Sequence, residues 1–364
     1  MDRRTFLLTP LALLAADRKP SVLLLASGWR AQATPWAGDP DLVAPNLEKL
    51  GRQGVVFERA YSCYPRSNPA RAALVTGRFP HTTGVIGEHD RLPAGEVTLD
   101  AALKSEGYAV GRLPADTVAD FLGSHKNGPF FLTVPLESPT TSHPLDPAQL
   151  HPRENIPSSD ELDARKELAL RYGDYIALDS SAGQVMASLD ALGLAGNTIV
   201  VFTSDHGEQM GSQGLDGDDV AFEESVRIPL AIRHPDVLPG GTKSELLVSQ
   251  VDLMPTLLAW CGVPAPDGIQ GHDLSGPISG RGERPESVYA EGKIGDKDEW
   301  RMLVLGSDKL VVNSQTEITH LYNLAADPYE MTNLAHEPSE RLKRDVLLAA
   351  LRASERRLAH FKRR

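Results

Sequence analysis

Four residues, Ser204, Asp205, His206 and Gly207, follow the β-branched run Thr198 to Thr203 (TIVVFT). In an open α/β sheet, ligands gather in the crevice beyond the carboxyl ends of the strands, so a carboxylate next to an imidazole there is placed for chemistry. A simple turn is the competing use of Asp-His-Gly. Ser67 is the second candidate. A plain serine hydroxyl is a weak nucleophile near neutral pH and needs activation. Its competing use is to cap the helix that follows, as serine commonly does. Glu223 and Glu224 are expected to pair with Arg227 and hold their loop. Asp216, Asp218 and Asp219 make an acidic loop that reads as a solvated surface, with a rearranged metal site as its other use. Cys63 and Cys261 are the only cysteines, too few for a disulfide scaffold or a thiolate zinc site. Cys63 reads as a small buried residue.

Several elements must position these groups. Ser21 to Ala26 (SVLLLA) is a continuous apolar run stopped by Gly28, the pattern of a parallel strand covered on both faces. Pro45 opens a short helix over 46–53 that Gly54 closes. Val55 to Phe57 and Phe130 to Val134 read as further strands. The longest helix spans about Asp160 to Leu192, with Ser158 and Glu161 at capping-box spacing. Tyr175, Leu178, Ala182, Val185, Leu189 and Leu192 recur at steps of three and four and predict one buried stripe. Strand, helix and strand in this order predict an α/β fold with a doubly wound, mostly parallel sheet. Beyond about Arg281 the texture changes. Trp300 to Leu305 and Lys309 to Asn313 flank the turn Gly306-Ser307-Asp308, Ile318 to Leu324 adds a strand, and Pro338 to Phe361 a terminal helix. These predict a small C-terminal antiparallel α+β subdomain. The expected division is 1–16 export signal, 17–285 main α/β domain and 286–364 C-terminal subdomain.

The 364 residues carry 37 Lys and Arg against 49 Asp and Glu, a formal charge of −12. That balance argues against a nucleic-acid partner, which needs a concentrated basic face, and means that any anion site must be local. Met1 to Ala16 has a basic start, an apolar run and small residues at its end, the pattern of an export signal. Arg3-Arg4 followed by Thr5-Phe6-Leu7 resembles a twin-arginine signal, so a periplasmic or extracellular protein is expected. No other stretch is long and apolar enough to span a membrane.

Ser67 to Arg78 (SNPARAALVTGR) resembles the signature of the sulfatase family, in which a Cys or Ser stands two before Pro and four before Arg, with Thr-Gly-Arg following. Ala44 to Leu50, Asn197 to Glu208, Phe222 to Pro229, Gln250 to Leu258 and Leu321 to Leu334 are similar to further family segments in the family's order. The resemblance implies an alkaline-phosphatase-like fold and hydrolysis of sulfuric esters, on a sulfated glycan or an aryl sulfate. It implies that Ser67 is oxidised to formylglycine by a Ser-type maturase and that Arg71 orients the hydrated aldehyde. It also implies a divalent cation, calcium in this family, with Asp205 and His206 matching the metal-binding pair.

The sequence departs from the family at several positions. Relatives end the first strand with two aspartates, and the matching positions are taken as Gly28 and Trp29. A sulfate-contacting Lys matches Asp218. The Gly-Lys-Trp-His element expected after Gly107-Tyr108 is missing, and the His expected after Phe130 to Val134 falls on Thr140. His81, Arg112 and His143 are the weak candidates for replacement anion contacts. Three functions stay open: a sulfatase with an altered site, a catalytically impaired relative that binds a sulfated ligand or partner, and a phosphoester hydrolase on the same scaffold.

Overall fold

The computed structural model describes residues 18–137, 144–235 and 237–359. The segment read as an export signal, 1–16, and the positions Thr140 and His143 lie outside the described residues.

A seven-stranded sheet forms the centre. Its strands are β1 (Ser21–Ser27), β2 (Val55–Phe57), β4 (Ala109–Arg112), β5 (Phe130–Pro135), β6 (Thr198–Ser204), β7 (Leu230–Arg233) and β8 (Thr242–Ser244), in the order β4-β5-β1-β6-β7-β2-β8. The short strands β3 (Ala60–Tyr61) and β9 (Val248–Ser249) pair separately. β1 is flanked by parallel neighbours, β5 and β6. β7 runs antiparallel to both β6 and β2, so the sheet is mostly parallel, as expected.

The apolar run of β1 feeds two cores because successive side chains point to opposite faces. Leu23 and Leu25 join Tyr175, Leu178, Ala182, Val185 and Leu189 of the helix Glu161–Ala191. Val22 and Leu24 join Leu253, Leu257 and Leu258 of the helix Leu253–Trp260 on the other face. The predicted helical stripe is buried except for Leu192, which lies past the last turn and is 38% exposed. The Ser158–Glu161 capping box does not form: Asp160 is the N-cap residue, and no side chain caps the first turn.

The second sheet is a four-stranded antiparallel meander of β10 (Ser287–Gly292), β11 (Trp300–Leu305), β12 (Asp308–Asn313) and β13 (Ile318–Asn323). Leu305 pairs with Asp308, so the hairpin turn is the two residues Gly306-Ser307. Gly306 takes φ +58°, which the tight hairpin turn favours. The helix Arg341–Ala359 lays Leu347, Leu351 and Leu358 on Leu303, Leu310 and Val312.

A buried ionic cluster ties the second sheet to the short helix Glu223–Val226 and to β3. Lys309 on β12 is fully buried, with Nζ 2.8 Å from Glu330 and 3.1 Å from Glu223. Tyr61 donates to Glu223 at 3.3 Å, and the Glu223 N–H donates to Glu330 at 2.6 Å. Glu223 therefore pairs with Lys309, not with Arg227 as the sequence suggested. Glu224 accepts from the Asn155 amide at 2.6 Å instead. Short spacing favoured Arg227, but the fold brings a lysine 86 residues away into the carboxylate's buried surroundings. Among the described residues, no helix is long and apolar enough to cross a membrane.

Candidate active site

The site forms where the helix Ser67–Thr76 meets the ends of β1 and β6. Ser67 and Arg71 are four residues apart and share one helix face. That face meets the two adjacent strand-end residues in order. Ser67 Oγ is 3.1 Å from His206 Nε2, and Arg71 Nε donates to Asp205 Oδ2 at 2.7 Å. Ser67 is not the helix cap: Arg66 holds that position. The serine hydroxyl is thus turned to the imidazole rather than back to its own helix.

His206 Nδ1 lies 2.7 Å from the Gly207 carbonyl, which can only accept. The Nδ1–H therefore donates there, which fixes the ring orientation and leaves Nε2 facing the Ser67 hydroxyl. Asp218 Oδ2 lies 3.3 Å from the same Nε2, which places the imidazole between the serine and a carboxylate. Asp219, beside it, is buried and paired with Arg66 at 3.9 Å; burial pushes its carboxyl up to about 6. The acidic loop is therefore not wholly solvated. Asp216 is its exposed member.

Close packing fixes the strand ends. Ser204 Oγ accepts the Trp29 N–H at 2.9 Å and lies 2.7 Å from the carbonyls of Ser27 and His206. Gln250 donates to the Ser204 carbonyl at 3.2 Å. The Gly207 N–H donates to the Ser225 carbonyl at 2.8 Å, and a Cβ on Gly207 would lie 2.0 Å from the Glu224 carbonyl oxygen. Only glycine fits there. Gln250 was not singled out as functional by sequence; Ser204 was noted only as part of the strand-end run, and Glu224 only as a partner for Arg227.

Asp205 is almost fully buried, whereas Arg71 is half-exposed. Burial raises the Asp205 pKa, and the charges of Arg71, His206 and Arg112 oppose that rise without cancelling it. Ser27, Gly28, Arg71, Arg112, Glu137 and Asp205 line a small cavity of about 80 Å³. A larger cavity of about 430 Å³, lined by Arg59, Tyr61, Arg227 and Lys243 among others, has no histidine in its wall. Of the weak anion candidates, Arg112 reaches the site. His81 has its Nδ1 and backbone N–H both engaged with Glu291, at 2.8 and 3.0 Å.

At the end of β1, Gly28 and Trp29, the positions matched to the family's aspartates, take different places. Ser27 pairs with Ser204, and the Asp205 N–H donates to the Ser27 carbonyl at 3.3 Å. Ser27 and Gly28 thus face Asp205, and both line its cavity. Trp29 turns inward, fully buried, with its ring stacked on Tyr175 at 4.4 Å. Ser27, Gly28 and Trp29 supply no carboxylate.

These residues fit a divalent cation poorly. Among the described residues, no group of three or more His, Cys, Asp and Glu could hold a metal ion. Calcium takes six to eight oxygen ligands, whereas here one carboxylate is already bound to a guanidinium. At an effective dielectric near 20, a dication about 5 Å from that guanidinium is opposed by roughly 7 kcal/mol unless further carboxylates offset it.

Cys63 and Cys261 are both buried and unbridged. Burial pushes the Cys63 thiol well up and the Cys261 thiol up to about 11, which suits packing rather than nucleophilic work.

Comparison with known proteins gives the lineage. The sulfatase family model matches residues 21–114 and 112–263, and a model of the N-sulphoglucosamine sulphohydrolase C-terminal region matches 211–356. The chain is 29% identical over 329 residues to the ulvan-active sulfatase of Formosa agariphila, covering 71% of this chain and 64% of that protein. It is 23% identical to the arylsulfatase of Clostridium perfringens over 93% of this chain and 95% of that one. A solved structure in complex with its substrate D-glucosamine-2-N,6-O-disulfate superposes with a TM-score of 0.81 at 19% identity, covering 94% of this chain and 98% of that one. The family model spans well over half of the sequence, and the chain belongs to the sulfatase family.

Proposed function

We propose that this chain hydrolyses sulfuric esters of a sulfated glycan or an aryl sulfate outside the cytoplasm, with Ser67 as the residue a Ser-type maturase converts to formylglycine. The observation that carries the reading is the pairing of one helix face with the strand end, Ser67 to His206 at 3.1 Å and Arg71 to Asp205 at 2.7 Å. What the modification supplies is a hydrated aldehyde, two hydroxyls on one carbon. His206 Nε2 is in reach to take the proton of a hydroxyl on residue 67 as it attacks sulfur, and to return it to the departing alcohol. Its Nδ1–H bond to the Gly207 carbonyl holds the ring in the orientation that aims Nε2 at residue 67. Arg71 stays charged and half-exposed, able to turn free N–H groups toward the ester oxygens while its Nε holds Asp205. Arg112, across the same cavity, offers a second cation. The relatives named for ulvan, aryl sulfates and a disulfated glucosamine support a carbohydrate or aryl sulfate as substrate class. The Arg3-Arg4 leader supports export, and a boundary near 285/286 separates the two proposed domains.

A second reading is favoured by the carboxylate-free strand end and by Asp218 beside His206: a relative that binds a sulfated ligand without turning it over. One experiment separates the two. Trypsin cuts after Arg66 and Arg71, releasing the peptide 67–71 from protein co-expressed with a Ser-type maturase. Loss of two hydrogens from that peptide, with turnover of an aryl sulfate, supports the hydrolase. An unchanged peptide without turnover refutes it and leaves the binding reading.

A further inference from the structure

We infer that the strand-end site of this chain does without a divalent cation, the Arg71 guanidinium being the resident positive charge that neutralises Asp205. The inference rests on the placing of the active site at Ser67, Arg71, Asp205 and His206, but not on turnover.

Three observations converge. First, the residues facing Asp205 across the strand end are Ser27 and Gly28, a hydroxyl and a hydrogen. Sterics do not explain the missing carboxylate, because a Cβ on Gly28 would meet no atom within 4 Å. Second, the donor atoms of the Asp205–His206 pair are largely engaged, although Ser27 Oγ on the same wall has no partner among the described residues. Asp205 Oδ2 accepts from Arg71 at 2.7 Å, and His206 Nδ1 is bonded to the Gly207 carbonyl. His206 Nε2 faces both Ser67 and Asp218. Third, the charges balance locally. One buried carboxylate meets one guanidinium in a short charge-assisted bond, and Glu137 and Arg112 on the cavity wall carry one charge of each sign. A hard dication would need six to eight oxygen ligands, whereas the carboxylates on this wall are Asp205, already held by Arg71, and Glu137, and Arg71 would oppose its entry.

The test uses the full chain co-expressed with a Ser-type maturase, stripped with a chelator. It is then dialysed against about 1 mM Ca²⁺, Mg²⁺ or Mn²⁺ in turn. Metal content and the thermal midpoint are read against the chelated protein. A site with a dissociation constant near 10 μM would raise the midpoint of a chain this long by about 3–4 °C. The expected result is under about 0.1 ion per chain and no resolved shift for any of the three. About one ion per chain, lost in the Asp205→Asn variant, overturns the inference. An ion that survives Asp205→Asn sits elsewhere and leaves it standing. Neither readout involves a substrate, so the outcome holds whether or not the chain hydrolyses a sulfate ester.

Discussion

Lys309→Met offers the sharpest test of how the second sheet supports the site. The substitution keeps the length and apolar stem of the side chain and removes only the ammonium, so packing changes little. It leaves Glu223 and Glu330 buried, without the partner that now lies 3.1 and 2.8 Å away. Breaking a buried ion pair from one side costs about 3–5 kcal/mol. At about 2.1 cal/mol/K of unfolding entropy per residue, this loss lowers the thermal midpoint by roughly 4–7 °C. The cost also depends on pH. Burial pushes the Glu330 carboxyl up, and Lys309 at present restrains that rise. Without the lysine, the folded state binds a proton more readily than the unfolded chain, so the variant regains stability as pH falls from 8 to 5. The deficit against the parent should shrink over that window, and a second change, Glu330→Gln, should recover part of it at pH 8. Urea unfolding at several pH values reads all three effects. A loss under about 1 kcal/mol at pH 8, or one that does not vary with pH, would refute the reasoning. The cluster matters to the site because Glu223 begins the short helix whose Ser225 carbonyl holds Gly207, next to His206.

Other changes probe the site and its surroundings. His206→Ala removes the imidazole beside residue 67 and should lower kcat/KM on an aryl sulfate by about 10²–10⁴-fold, while circular dichroism stays native. Gly207→Ala places a Cβ 2.0 Å from the Glu224 carbonyl oxygen and should cost about 3 kcal/mol or more; an unchanged melting midpoint would count against this geometry. Asp219 titrates near 6 when folded, above its unfolded value of 3.8, so its charged form is disfavoured in the fold at neutral pH. Asp219→Asn, at a φ of +62° that asparagine accepts, should stabilise by about 1–2 kcal/mol at pH 8 after allowance for solvent screening, and the gain should fade toward pH 5.

Local pattern determined much of this protein. The run SVLLLA had to lie between two covering layers, because a strand with no polar alternation has no face to give to water. The steps of three and four from Tyr175 to Leu189 required a helix buried along one side. The Gly306-Ser307 turn allowed two antiparallel strands and little else. The motif from Ser67 to Arg78, with Asp205 and His206, carried the lineage. Elements whose identity depends on distant partners were not legible. β4 is short and only half-buried, and β10 carries a buried carboxylate, Glu291, whose partner His81 lies 210 residues away. Tertiary structure alone decided that Ser67 faces His206 across 139 residues rather than capping its own helix, and that Arg71 holds Asp205. It also turned Trp29 into the core and set Ser27 and Gly28 against Asp205. A one-residue shift along a strand reverses which side chain faces inward, and that register is fixed only when β1 and β6 pair. Sequence named the chemical groups, and packing of distant segments chose which of them meet.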